Sequence, residues 1–184
     1  LEGGIEFISG ETLQETSLEK LQVSFSSHEA FNYFNQEISF KSLEKLTQSP
    51  GIHWVTHALV EGHRNEVNCI PGFNLLIIDC DGGVQMPTAE SILENYTFAM
   101  YTTKRSTPEK NRFRIILPMK YHLKLDSEDY KAFMQNVFEW LPFEADESVG
   151  QRSRKWLSHK GDYISQEGEL FDPTPFIPKT KKNL

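Results

Sequence analysis

The sequence predicts a mixed α/β (α+β) domain, and three observations carry that expectation. Residues 75–78, Leu-Leu-Ile-Ile, form an unbroken apolar run between Pro71-Gly72 and Gly82-Gly83, which reads as a strand buried on both faces. Tyr130, Phe133, Met134, Val137, Phe138 and Leu141 recur at helical spacing, which reads as an amphipathic helix facing a core. Segments 97–102 and 112–117 are rich in β-branched and aromatic residues and are separated by a polar loop, so further strands accompany the first. A chain of 184 residues is long enough to bury a sizeable core.

Taken in order, residues 1–20 are polar and weakly patterned and read as a loose lead-in. Residues 21–25 alternate and predict a strand. Ser26 and Ser27 are N-cap candidates for a helix carrying Ala30, Phe31 and Phe34. Residues 42–46 read as a short helix stopped by Pro50-Gly51, and 52–60 as one strand. This first stretch, 1–70, is expected to be a small N-terminal α/β lobe packed on a core spanning 71–178. Residues 87–93 predict a helix with proline in its first turn. Strand 112–117 is expected to stop at Pro118, and Asp126 or Ser127 to cap the long helix, which Pro142 ends. Residues 163–171 suggest a hairpin. The proline-rich and then basic end reads as an exit linker, with 179–184 as a tail.

The chemistry concentrates where the apolar strand ends, in Asp79-Cys80-Asp81-Gly82. Side chains alternate along a strand, so Asp79 and Asp81 share a face, roughly 7 Å apart at Cα, while Cys80 turns into the packing. Two carboxylates at the end of a buried strand repel each other unless a cation joins them. Hard oxygen ligands favour Mg²⁺ or Mn²⁺. Arg112 and Arg114 alternate with Phe113 at the start of a later strand, so both arginines face one way and Phe113 the other.

Net charge is −7, which argues against a protein that coats nucleic acid non-specifically. The cations are nevertheless clustered. Segment 102–118 holds Lys104, Arg105, Lys110, Arg112 and Arg114 against Glu109, and segment 150–160 holds Arg152, Arg154, Lys155 and Lys160 with no acid. Two basic stretches on an acidic body suggest a local anion site. His53, His57, His63 and Cys69 fit no zinc spacing, because His53 and His57 on one strand would lie about 13 Å apart. No apolar run reaches the roughly 18 residues of a membrane span and no signal peptide is visible. With only Cys69 and Cys80, the expected setting is the reducing cytoplasm.

An apolar strand ending in Asp-x-Asp, a later strand with outward cations, a carboxylate after a helix and then a basic run: in this order the chain resembles the archaeo-eukaryotic primase superfamily. Within it the closest likeness is to the primase–polymerase domains of phage and plasmid replication proteins. The resemblance covers roughly residues 72–160. It implies an RRM-like catalytic core, a template-directed nucleotidyl transfer and two divalent metals, Mg²⁺ or Mn²⁺, on Asp79, Asp81 and Asp146. Where the family has a small residue, any residue and His, this chain has Arg112-Phe113-Arg114, and Arg114 stands at the histidine's position. The family's histidine contacts the incoming phosphates, and a guanidinium can do so with a bidentate fork. Arg112, Arg114, Lys104, Arg152 and Arg154 become the expected contacts of the nucleoside triphosphate. Lys155, Trp156 and His159 become those of single-stranded template DNA, and a helicase or other replication domain is expected beyond the exit linker.

Two other classes share parts of the pattern. Asp-x-Asp-Gly after an apolar strand also opens haloacid-dehalogenase-like phosphatases, in which Asp79 would be the nucleophile. That reading needs a late pair of acids, and Asp162 stands alone. The third reading is a non-catalytic, RRM-like nucleic-acid-binding module that needs no metal.

Overall fold

The structure, a computed structural model, describes residues 4–6 and 12–180. The elements in chain order are β1 (Gly4–Glu6), β2 (Thr12–Glu15), β3 (Leu21–Ser26), β4 (Phe34–Ile38), α1 (Ser42–Gln48), β5 (His53–Val55), β6 (Ala58–Leu59), β7 (Cys69–Ile70) and β8 (Phe73–Asp81). Then follow α2 (Met86–Ile92), β9 (Phe98–Thr102), β10 (Arg112–Leu123), α3 (Ser127–Trp140), β11 (Trp156–Leu157) and β12 (Tyr163–Gln166). The expected α+β class is borne out, with antiparallel sheets and three α-helices among the described residues. None of those helices is long and apolar enough to cross a membrane.

In the larger sheet β10 is central. Residues 113–116 pair with β8 on one side and β9 on the other, β12 extends the sheet beyond β9, and the far end of β10 pairs with β2. The apolar run of β8 explains its place, since Phe73, Leu75, Leu76, Ile77 and Ile78 are all buried. Helix α3 is capped by the Asp126 side chain, which accepts from the Asp129 N–H at 2.9 Å, and it buries the aromatic stripe the sequence foretold. The second sheet runs β11-β5-β3-β4. Its inner residues Leu21, Val23, Trp54 and Trp156 join the same apolar core as β8, β9, β10 and α3. Each such side chain contributes on the order of 1.5–3 kcal/mol when fully buried, so this shared core binds the two sheets strongly.

Six local expectations are corrected. No helix follows Ser26. The Ser26 Oγ accepts from the His28 N–H and donates to the Phe31 carbonyl, the His28 Nδ1 accepts from Ala30 and Phe31, and Asn32 takes φ 64°. Side-chain bonds to nearby backbone won over helix, and a β3–β4 hairpin forms that pairs Phe25 with Phe34. Residues 52–60 are not one strand either. The chain breaks at Thr56-His57, where the Ser24 hydroxyl takes the His57 carbonyl at 2.7 Å, and β6 leaves to pair with β7. Pro118 does not end its strand. It faces Leu75 next to a register shift, and an irregular ladder tolerates a residue without an N–H. Residues 163–171 make no hairpin, because β12 pairs with β9 while Glu169 and Phe171 form single bridges to Tyr96 and Met119. The lead-in is partly structured, with β2 in the larger sheet. Residues 1–3 and 7–11 of that lead-in lie outside the described residues, as do 181–184 of the expected tail. The proline-rich end is docked, for the Asn136 amide donates to the Phe176 carbonyl and the Phe176 ring stacks on Phe171.

His57 is fully buried, stacked on Phe73 and edge-on to Tyr130. Burial, aided by the nearby Arg152 cation, pushes its pKa down to about 3. Above the ordinary value near 6.5 the ring is neutral in both folded and unfolded chains. Between that value and about 3 only the unfolded chain takes up the proton, so stability falls as pH falls through this window, by about 1.4 kcal/mol per pH unit. His57→Phe keeps the ring contacts and is expected to flatten that slope by about one proton, read as urea midpoints from pH 7 to pH 4.

Candidate active site

The β8–β10 ladder sets two carboxylates directly opposite two guanidiniums. Asp79 is the cross-strand partner of Arg114, and Asp81 that of Arg112. Phe113 and Cys80, between them, are fully buried on the other face. The period-2 alternation therefore does what the sequence required of it. Arg112 Nη1 meets Asp81 Oδ1 at 2.5 Å, on a carboxylate whose side chain is 53% exposed. Arg114 Nε lies 3.6 Å from Asp79 Oδ1, with both side chains mostly buried.

Asp146 reaches the site through the Gly82-Gly83 turn. A Cβ on Gly83 would lie 2.8 Å from Glu144 Cβ and 3.1 Å from the Glu144 carbonyl oxygen, so glycine is what lets segment 144–146 pass so close. The Asp146 N–H then donates to the Asp79 carbonyl at 2.8 Å. Its carboxylate is held by Ser148, whose hydroxyl and backbone N–H both donate to Oδ1, at 2.6 and 2.9 Å. The Ser148 hydroxyl bond is the main reason its pKa sits below the ordinary carboxylate value. Asp79 is shifted the other way. Burial raises its pKa, Arg114 opposes that, and the charges of Asp146 and Asp81 add to the rise.

These groups line one open cleft of about 660 Å³ together with Lys104, Arg154 and His159. Arg114 is anchored inside it. Its Nη1 donates to the Tyr101 hydroxyl at 3.0 Å and to the Leu157 carbonyl at 2.8 Å, and its guanidinium lies 5.0 Å over the Trp156 ring. Arg154 covers the same ring at 5.4 Å. The Nε atoms of Arg114 and Arg154 are buried without a hydrogen-bond partner among the described residues. Buried unsatisfied N–H groups on cations that line a cleft are the signature of a site built for an anion.

Other expected site residues lie elsewhere. Arg152 is buried outside the cleft, where its Nε donates to Glu66 at 2.7 Å and its Nη1 to the Leu125 carbonyl, so it ties two loops together. Burial pushes Glu66 up, but the bonds from Arg152 and Ser153 outweigh it and leave the carboxylate below its usual value. Trp156 is buried against Trp54 and forms the floor under the two arginines rather than an open stacking surface. Lys155 borders an adjoining opening. The sequence reading gave no site role to Tyr101 or Ser148. Ser148 had a visible signal, because Asp-x-Ser closes a local side-chain turn; Tyr101 had none, being one aromatic among many in a strand.

Among the described residues no three His, Cys, Asp or Glu side chains converge on one point that could hold an ion. The donor chemistry nonetheless suits a hard dication, because Asp79 is desolvated beside two further acids and carries a raised pKa.

The geometry defines an antiparallel α+β domain with a carboxylate–arginine cleft at one end of its central strands. The chain matches the family of the VapE N-terminal domain over residues 7–164 and belongs to that family. Among solved structures, the AEP domain of the cyanophage S-2L primase-polymerase is similar at 12% identity, over 88% of this chain and 89% of that chain, with a TM-score of 0.49. No curated protein matches the chain.

Asp79 is the group whose charge folding disfavours. Its folded pKa is raised, so its stabilising effect is complete only below the unfolded value near 3.9 and is lost as pH rises through the folded one. Asp79→Asn is therefore expected to raise the melting temperature in EDTA at pH 7 by a few degrees, at about 2–4 °C per kcal/mol relieved. Thermal melts at pH 3.5 should show that gain vanish.

Proposed function

We propose that this domain is a template-directed nucleotidyltransferase, a primase–polymerase domain acting on nucleoside triphosphates and single-stranded template DNA. The observation that carries it is the joining in one cleft of three carboxylates and two guanidiniums whose buried Nε atoms lack a hydrogen-bond partner among the described residues. Nucleotidyl transfer asks for this combination. Carboxylates hold the divalent metals that activate the 3′-hydroxyl and steady the triphosphate, and fixed cations meet the phosphate charge the metals leave over. Asp79, Asp81 and Asp146 would hold Mg²⁺ or Mn²⁺. Arg114 and Arg154, with Lys104 at the rim, would take the phosphates, Arg114 in the role of the family's histidine.

A non-catalytic binding module is the second reading, and the Arg112–Asp81 pair favours it, because a carboxylate already matched to a guanidinium needs no metal. A metal titration separates the two. The phosphatase reading lacks comparable support, since Asp162 lines a neighbouring chamber and not the cleft of Asp79.

Primer extension and Mn²⁺ binding are the direct tests. Asp79→Ala and Asp81→Ala should each abolish nucleotide incorporation while the far-ultraviolet spectrum stays unchanged, because both sit at a strand end. Extension at the wild-type rate by either variant would refute the metal assignment. Arg114→Ala should weaken nucleotide binding about ten- to a hundredfold, the loss of one charge-assisted contact worth about 1.5–3 kcal/mol, and Arg114→His should restore part of it. Unchanged nucleotide affinity in Arg114→Ala, with a loss in Arg112→Ala, would move the phosphate contact two residues along the strand.

A further inference from the structure

The cleft does not end at Arg114 and Arg154. A second opening shares both arginines and Leu157 with it and continues past Arg64, Ser153 and Lys155. Its lining carries four cations, Arg64, Arg114, Arg154 and Lys155, and no acid. The chamber on the cleft's other flank contains Glu90 and Asp162. An extended polyanion entering the cleft is therefore drawn towards one side.

Arg64 is fixed there by neutral partners. Its Nε donates to the Glu29 carbonyl at 2.6 Å and its Nη1 to the Ser153 carbonyl at 3.1 Å, and it forms no ion pair among the described residues. Lys155 reaches the Glu29 carboxylate only at 4.0 Å, and that carboxylate is well exposed. Next along the chain from Arg64, the His63 imidazole stacks on Phe31 with centroids 4.6 Å apart and planes within 20°. Phe31 is 50% exposed, an unusual fraction for a large aromatic. No part of the metal or triphosphate chemistry uses these groups. Aromatic faces beside an opening lined by four cations and no acid match single-stranded nucleic acid, whose bases stack while its phosphates are neutralised. An acidic peptide would satisfy the cations and leave the aromatic pair idle.

We propose that Phe31, His63, Arg64 and Lys155 form a landing for single-stranded nucleic acid that leads over Arg154 into the cleft. Its description as the template path rests on the nucleotidyl-transfer reading, whereas the landing itself needs neither metal nor nucleotide.

The test is fluorescence anisotropy of a labelled oligothymidylate with the whole chain in EDTA, across a salt series. Lys155→Ala with Arg64→Ala should weaken binding and reduce the slope of log affinity against log salt by about 1.4, two cations at about 0.7 each. Phe31→Ala should weaken it about five- to a hundredfold with the slope unchanged. Arg64 also ties two loops, so Phe31→Ala and Lys155→Ala, both surface changes, decide the matter if the double variant melts early. Wild-type oligonucleotide affinity in both single variants would overturn the proposal. So would displacement of the oligonucleotide by polyglutamate from wild type and Phe31→Ala alike. Nucleoside triphosphate binding should be unaffected in all of them. If the wild type incorporates no nucleotide yet Phe31→Ala and Lys155→Ala lose oligonucleotide affinity, the transfer reading fails and the landing stands.

Discussion

The register between β8 and β10 is the constraint on which the site depends. Ile78 faces Ile115, Ile77 faces Ile116 and Leu76 faces Leu117, and all six side chains are buried. A slip by one residue would turn the buried Cys80 or Phe113 outwards and carry charges into the packing, so the core fixes the pairing. One and three residues further on, the same register delivers Asp79 to Arg114 and Asp81 to Arg112. The charged end of the ladder is thus positioned by the apolar end. The water-exposed Arg112–Asp81 pair itself adds little, for pairs near the surface are worth about 0–1 kcal/mol.

The floor of the cleft is built by a different route. Strand β11 leaves the basic segment to pair Trp156 with Trp54 in the second sheet. This carries Arg154 and Leu157 over to β10, where Arg114 lies across the Trp156 ring and bonds the Leu157 carbonyl. The Arg152–Glu66 pair fastens the same segment to the loop before β7. Three stretches remote in sequence, 79–81, 112–114 and 146–157, therefore meet because the two sheets share one core. The shared core is also why the second opening runs on without a break from the first.

How much of this could be read from the sequence differs from residue to residue for physical reasons. Asp79, Asp81, Arg112 and Arg114 were legible because alternation on a strand is strict and a long apolar run admits one orientation. Asp146 was legible only by order; the bond from its N–H to the Asp79 carbonyl and the close pass at Gly83 are tertiary facts. Arg152 was indistinguishable from Arg154 in a basic run, since a cation tied to a distant glutamate and one facing a cleft have the same local sequence. The helix expected after Ser26 failed because spacing of apolar residues says nothing about a serine and a histidine closing a turn onto their own backbone. The strand expected to stop at Pro118 failed because a register shift, invisible in composition, makes room for proline.

The two arginines that face the aspartates are not equivalent, and the difference bears on how a metal could enter. Arg112 is held to the exposed Asp81 by a pair open to water, which a dication can displace at a cost of about 1 kcal/mol or less. Arg114 is held instead by the Tyr101 hydroxyl, the Leu157 carbonyl and the Trp156 ring, and its Nε stands 3.6 Å from Asp79 without a hydrogen bond. A dication bridging Asp79 and Asp81 would release Arg112 into the cleft and leave Arg114 where it is. Burial of Tyr101 raises its pKa, so the phenol stays protonated at neutral pH; the hydroxyl oxygen accepts from Arg114 while keeping its own proton. One guanidinium is then a fixed post and the other a counter-charge that leaves its aspartate when something more strongly bound replaces it. On the nucleotidyl-transfer reading, a divalent metal would replace Arg112 at the carboxylate and the triphosphate would give that guanidinium a new anion to meet.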